Sequence, residues 1–162
     1  MAILTCTRLM AVERLLLALW VGGICVVGYL VAPILFATLT DDRQLAGMLA
    51  GKMFSAISWA GLVIGTLLFV ASIVGAGAQW LRQWRAWALL AMVVIVCVML
   101  FVLQPMMAEL KAQGPIIPGS DLAAAFGRLH GVSSVFYLVM SLLGLLLVAA
   151  GLRRSVSGEG VG

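Results

Sequence analysis

Charged residues are scarce in this chain. Asp, Glu, Lys and Arg together make up 10% of its 162 residues, whereas hydrophobic residue types make up 64%. An average soluble domain carries roughly 25% charged residues. So little charge excludes an ordinary soluble domain, and we expect an integral membrane protein. The net charge of +4 does not indicate nucleic-acid binding, because most basic residues flank apolar runs and report orientation in a membrane.

Residues that carry redox and metal chemistry are also few. The three cysteines have no C-x-x-C spacing, which argues against a disulfide framework. A single histidine excludes the paired histidines that hold a membrane b-type haem. No pair of carboxylates lies inside an apolar run, and Ser133 and Ser134 have no acid–base partner apart from that histidine. The sequence therefore predicts no catalytic residue, no enzymatic activity and no cofactor.

The chain has instead four charge-free runs, each longer than the roughly 20 residues that cross a hydrocarbon core. They are Leu15–Leu39, Met53–Leu81, Ala86–Ala108 and Leu129–Leu152. The first run exceeds the apolar region of about 7 to 15 residues in a signal peptide, so we expect it to be a retained transmembrane helix. We predict an all-α, single-domain, integral membrane four-helix bundle. The expected helices are residues 9–39, 53–81, 85–110 and 121–152, followed by a short disordered tail at 155–162.

The basic residues predict the orientation of the bundle. Six of them fall on the side of the two termini and four on the other side, namely Arg8, Arg14, Arg82, Arg85, Arg153 and Arg154 against Arg43, Lys52, Lys111 and Arg128. Because cytoplasmic segments carry the excess of Lys and Arg, we expect both termini in the cytoplasm. We expect a multi-pass protein of the cell membrane.

The last apolar run carries the only histidine of the chain. His130, Ser134, Tyr137 and Ser141 follow at i, i+4, i+7 and i+11, so on a helix they share one face. Ionisable groups in membrane segments are costly and are often functional, and histidine changes charge near neutral pH. We predict that this face binds or helps to move a small polar solute or cation. The candidate polar site contains His130, Ser133, Ser134, Tyr137, Gln104 and Arg128.

Other interpretations of these residues stay open. His130 stands at the start of its run, so it is also compatible with the outer headgroup region and a hydrogen bond to water. Pro105 frees a backbone carbonyl one turn earlier, but with Gln104 it is equally typical of an ordinary helix end. No metal site is the first prediction. A weaker alternative is monovalent copper on His130, Met106 and Met107, although methionine at helical spacing more often packs a core.

Small residues point to a different class of function. Glycines at close-packing positions let helices approach each other, and we predict helix packing at Gly22, Gly23, Gly61, Gly65, Gly127 and Gly131. Such faces suggest self-association or a partner membrane protein within the lipid bilayer. The alternative function is therefore a non-catalytic accessory or structural subunit of a membrane complex.

A weak internal repeat divides the chain into two hairpins. Pro33 and Pro105 lie towards the outer ends of the odd helices, and Phe54 and Phe126 each follow 21 residues later. Two tandem helical hairpins would give this pattern, and some transporters are built from such parallel repeats. Chance similarity between two leucine-rich hairpins would also give it.

These residues together resemble a known family. The pattern contains Trp20-x-Gly22-Gly23, Ala32-Pro33, Leu35-Phe36, Phe54, Pro105 and Phe126-x-x-x-His130-Gly131-x-Ser133-Ser134. It is similar to the transmembrane protein 205-like family, classed as domain of unknown function 4149, over nearly the whole chain. The resemblance implies a small four-helix multi-pass membrane protein with the motif histidine at His130 and the motif serines at Ser133 and Ser134. It implies no catalytic role. The eukaryotic members of that family have a longer connection before the last helix, and this contrast implies a bacterial inner membrane.

Overall fold

The computed structural model describes the backbone of residues 2–156 and the side chains of residues 8–150 except 76 and 78. Two helices are interrupted by a π-helical turn: α1 comprises Ala2–Val26, the π turn Val27–Val31 and Ala32–Thr38, and α3 comprises Trp84–Val98, the π turn Met99–Leu103 and Gln104–Ala112. Helix α2 is Arg43–Ala76, followed by the 3₁₀ segment Gly77–Arg82. Helix α4 is Asp121–Val156. All four helices are long and apolar enough to cross a membrane. The prediction of an all-α chain with four candidate spans is confirmed, and the chain fits a multi-pass membrane protein.

Helices α2 and α4 begin after capping residues and not where their apolar runs begin. Helix α2 begins at Arg43, ten residues before the predicted start, because the Asp42 side chain accepts a hydrogen bond from the Leu45 N–H at 2.8 Å. Helix α4 begins where predicted, and the Ser120 hydroxyl accepts a hydrogen bond from the Ala123 N–H at 3.1 Å. Beyond residue 156 the tail predicted at 155–162 lies outside the described residues, and α4 continues to Val156.

The four helices form an antiparallel bundle. Helix α1 packs against α2 and α4, and α3 packs against the same two helices, so α1 and α3 stand at diagonal corners. We call the end with the connections 39–42 and 113–120 the distal end, and the end with Gln83 the proximal end. At the proximal end Gly77, with φ of +54°, ends α2, and the Trp87 indole N–H donates to the Leu81 carbonyl at 2.9 Å.

The centre of the bundle is closed by large apolar side chains. The largest fully buried ones are those of Trp20, Ile24, Met92, Met140, Leu147 and Val96. The Trp20 ring lies on α2, where a Cβ added at Gly61 or Gly65 would collide with it. A Cβ added at Gly144 would likewise collide with the Val21 side chain and stand close to that of Met92. Close packing at these glycines therefore brings α1, α2, α3 and α4 around one core.

Both odd helices contain a π-helical turn just before a proline. The Ala32 N–H donates to Val27 O and the Gln104 N–H to Met99 O, each five residues back. The wider turn accommodates a residue that has no N–H and whose ring crowds the preceding turn. The interpretation of Pro105 as a helix end is wrong, because α3 continues beyond it to Ala112.

The two π turns are 72 residues apart, the same offset that separates Pro33 from Pro105. The offset also relates buried core positions, namely Leu17 to Leu89, Trp20 to Met92 and Ile24 to Val96. These agreements support two tandem hairpins, α1–α2 and α3–α4. Parallel repeats, which are related by an axis along the bundle, have this arrangement.

Candidate functional site

His130 lies on the outside of the bundle in the distal part of α4. Its side chain is exposed, and its ring stacks on Phe126 with centroids 6.1 Å apart and planes inclined by 8°. Ser134 is also exposed, but its hydroxyl donates to the His130 carbonyl at 2.9 Å and not to the imidazole. The imidazole therefore belongs to a surface cluster and not to an internal chamber.

The other half of the predicted polar face is buried. The Tyr137 hydroxyl donates to Ile24 O of α1 at 2.6 Å, and its ring meets Phe54 edge-on with centroids 5.1 Å apart. The Ser141 hydroxyl donates to Tyr137 O at 2.8 Å, and the Ser133 hydroxyl donates to Leu129 O at 2.9 Å. These hydroxyls are engaged with helix carbonyls.

The four polar residues that share one face of α4 in the sequence do not share one environment in the structure. The four positions lie within about 60° of one another around the helix, so the difference follows their place along α4. His130 and Ser134, nearer the distal end, are exposed, whereas Tyr137 and Ser141, farther along, are buried. Gln104 is half-buried on α3 beside the π turn. The exposed Ser134 hydroxyl lies beside His130, whereas Ser133, Tyr137 and Ser141 are buried.

A groove does open at the distal end, between the end of α3 and the start of α4. Its volume is about 330 Å³, and its lining residues are Met106, Glu109, Leu110, Gln113, Ala125, Arg128 and Leu129. Of the predicted polar site only Arg128 lines it. Glu109 and Gln113 are residues that the sequence reasoning missed, because both lie outside the apolar runs.

The charges at this groove are opposite and unpaired. Within the part of the chain whose side chains are described, neither Glu109 nor Arg128 forms an ion pair, although both line the groove and both are exposed. Lys111 is engaged nearby, because its Nζ lies 5.4 Å from the centroid of the Phe126 ring. The rim of the groove therefore offers one carboxylate, one guanidinium and the Gln113 amide.

A second, apolar hollow continues from the groove along α4. Its volume is about 530 Å³, and it is lined by Arg128, Gly131, Val132, Val135 and Phe136. A Cβ added at Gly131 would meet no atom within 4 Å, so the absence of a side chain there leaves the hollow open. Arg128 is common to the groove and the hollow.

The residues of the weaker copper alternative are not gathered either. Met106 lines the groove, Met107 packs against the core, and neither is in the stack of His130 on Phe126. Among the side chains described, no group of three or more His, Cys, Asp and Glu residues is close enough to hold a metal ion.

The predicted packing glycines divide into two sets. Gly61 and Gly65 lie under Trp20, and Gly23 faces Ile57. Gly22, Gly127 and Gly131 have nothing within 4 Å of an added Cβ. Gly28, which the sequence reasoning did not select, lies against the Tyr137 ring.

Two buried polar groups have no hydrogen-bond partner among the described residues. They are the Trp20 indole N–H, on a side chain that is 1% exposed, and the Ser58 hydroxyl, on a side chain that is 2% exposed. The indole nitrogen lies over Gly61, one helical turn from Ser58, while the far edge of the ring lies over Gly65. Ser58 is also the counterpart of His130 at the 72-residue offset.

Comparisons with known proteins give one match. The family model described as Domain of unknown function (DUF4149) matches residues 15–115, which is more than half of the chain and includes most of the span of α1 and all of the spans of α2 and α3. The histidine–serine motif of α4 lies beyond the matched residues, and the resemblance to the transmembrane protein 205-like family stays a prediction. No curated protein and no solved structure matches the chain significantly.

Proposed function

Because the chain belongs to the DUF4149 family, whose description assigns no activity, we propose a function from the geometry of its distal end. The chain is a non-catalytic membrane protein that binds a small polar, charged group in the groove between α3 and α4. With both termini in the cytoplasm, as the basic residues predict, this groove opens on the outer side of the membrane.

The observation that carries the proposal is the pair of Glu109 and Arg128 at one groove. A guanidinium binds phosphate or carboxylate through parallel N–H donors, and a carboxylate accepts from an ammonium group. Neither side chain is paired with another described residue. A ligand that carries an anion and a cation a few ångströms apart complements both charges, whereas a purely anionic or purely cationic ligand complements only one.

Binding of three soluble probes to the protein in lipid nanodiscs tests the proposal. The probes are glycerophosphoethanolamine, a zwitterion, and its separate parts glycerol phosphate and ethanolamine. We expect the zwitterion to bind most tightly. Because both residues are exposed, Arg128→Gln should weaken binding of the zwitterion and of glycerol phosphate by about fivefold, near 1 kcal/mol. Glu109→Gln should weaken binding of the zwitterion and of ethanolamine similarly.

Arg43→Gln is the matched control, because Arg43 is also exposed at the distal end but lies outside the groove. It should leave all three affinities unchanged. Equal losses in Arg43→Gln and Arg128→Gln would mean that the probes respond to surface charge alone, and the proposal would then be abandoned.

One observation favours a second candidate function, an accessory subunit. His130 and Ser134 are exposed beside Gly127, where an added Cβ meets nothing, so this side of α4 accepts the close approach of another helix. A partner membrane protein or a second copy would then cover the histidine. Gly127→Leu should weaken such an assembly in native mass spectrometry, with Gly22→Leu on α1 as control. A single monomeric mass in several mild detergents and in native lipid would count against it.

A further inference from the structure

The charged groove and the apolar hollow meet at one residue. On α4 the groove is lined by Ala125, Arg128 and Leu129, and the hollow begins again at Arg128 and extends to Phe136. At 1.5 Å per residue, the distance from Arg128 to Phe136 along the helix axis is about 12 Å. This is most of the roughly 15 Å from the edge to the middle of a hydrocarbon core.

The order of these two surfaces along α4 is that of an amphiphile. The charged residues lie at the distal end, and the hollow deeper along the helix is lined by Gly131, Val132, Val135 and Phe136. A lipid of the leaflet on the distal side has the same order, with its phosphate at the hydrocarbon edge and its chains pointing inwards. In this order Arg128, which lines both surfaces, corresponds to the phosphate.

The second charge restricts the headgroup. Glu109 lines the groove on the α3 side, opposite Arg128 on α4. Lys111 is held over the Phe126 ring, which leaves Arg128 as the cation that faces the groove. A headgroup with a phosphate and a terminal ammonium complements both charges. A glycerol headgroup supplies no cation for Glu109.

We infer that this site binds an amine-bearing glycerophospholipid, with its phosphate on Arg128, its ammonium group on Glu109 and one acyl chain in the hollow over Gly131. The inference rests on the proposed function and adds the class of the ligand and the role of the apolar hollow. Gly131 keeps the hollow open, because any larger side chain would stand in the path of the chain.

Native mass spectrometry of the full chain, titrated with phosphatidylethanolamine or phosphatidylglycerol, tests the inference. We expect one phosphatidylethanolamine to bind in preference to phosphatidylglycerol. Gly131→Leu should weaken phosphatidylethanolamine binding by about fivefold, a modest loss because the displaced acyl chain loses van der Waals contacts and not its apolar surroundings. Binding of soluble glycerophosphoethanolamine should not change. Gly22→Leu, at another glycine with open space, should change neither.

The outcomes separate the inference from the proposed function. If glycerophosphoethanolamine binds through Arg128 and Glu109 but Gly131→Leu leaves lipid binding intact, the lipid inference is overturned and the proposed function stands. If Arg128→Gln alters neither the lipid nor the soluble probe, both fail.

A second measurement needs no substitution at Gly131. Phosphatidylethanolamine with a photoreactive group on its acyl chain should label Val132 and Val135 of the wild-type protein. Labelling spread evenly over the lipid-facing residues of α1 and α4 would overturn the inference even where Gly131→Leu prevents folding.

Discussion

The contact between Gly28 of α1 and Tyr137 of α4 gives the sharpest test of the packing beside the first π turn. A Cβ added at Gly28 would collide with the Cε1 atom of the Tyr137 ring and would stand tightly against two further ring atoms. The ring has little freedom to move away, because its hydroxyl is bonded to Ile24 O and Phe54 packs edge-on against it. Overpacking of this kind typically costs about 1 to 3 kcal/mol.

Gly28→Ala also gains stability from a higher helix propensity, and this gain must be separated from the cost of the collision. Replacing a helical glycine by alanine raises helix propensity by about 1 kcal/mol. Gly22→Ala lies on the same helix, and its added Cβ meets nothing within 4 Å, so it receives this gain without the collision. The difference in the free energy of unfolding between the two variants should therefore be about 1 to 3 kcal/mol, with Gly28→Ala the less stable.

Unfolding of both variants by sodium dodecyl sulfate in mixed micelles, followed by circular dichroism, measures this difference. In a background of Tyr137→Ala, where the ring is absent, the penalty of Gly28→Ala should disappear. Equal stabilities for Gly22→Ala and Gly28→Ala in the otherwise wild-type chain would refute the packing argument. A penalty that persists without the ring would assign it to the π turn itself.

Two further predictions use other parts of the chain. Ser58→Ala should leave stability unchanged or raise it by up to about 1 kcal/mol, because it removes a buried hydroxyl that has no partner among the described residues. Tyr137→Phe, in contrast, should lower stability by about 0.5 to 1.5 kcal/mol, because the hydrogen bond to Ile24 O is lost. A clear loss in Ser58→Ala would indicate a bound partner such as a buried water. In a cysteine-free variant, Ile117→Cys and not Gln83→Cys should react with an impermeant thiol reagent added outside intact cells, since the six-to-four distribution of basic residues predicts that the termini are in the cytoplasm. The reverse labelling would refute the orientation.

The number of helices could be predicted from the sequence because a helix that crosses a membrane needs a long charge-free run, and each run is visible in the residues themselves. The start of α4 could also be predicted, since the Gly- and Pro-containing connection ends at the capping residue Ser120. The start of α2 could not. Its first turns contain Arg43 and Lys52, and only the hydrogen bond to Asp42 shows that they are helical.

The π turns could not be predicted from the periodicity of the apolar residues. A helical pattern assumes 3.6 residues per turn, and one wider turn shifts every later side chain around the helix axis. The prolines were the available signal, because each needs a helix that can accommodate a missing N–H. From the sequence, Pro105 is compatible with a freed carbonyl or with a helix end. In the structure the turn before Pro105 widens and α3 continues to Ala112.

The candidate groove could not be predicted for a different reason. Its residues come from the end of α3 and the start of α4, and whether they face each other depends on the angle between two helices. Glu109 and Gln113 lie beyond the apolar run, where a sequence argument expects only solvated polar residues. Arg128 lies two residues before His130 in the sequence. In the structure Arg128 lines the groove and His130 does not.

The groove lies at the distal end of the second hairpin, where the two tandem hairpins differ in their connections. The odd helices of the two hairpins share three buried positions and a π turn, so this part of the core belongs to both hairpins. They differ at the distal end. The first hairpin closes through residues 39–42, whereas the second closes through the longer segment 113–120 with Gly114 and Gly119 at positive φ. The longer connection joins the ends of α3 and α4 that carry Glu109 and Arg128. The specific function of the chain is therefore to be sought where the second hairpin departs from the first.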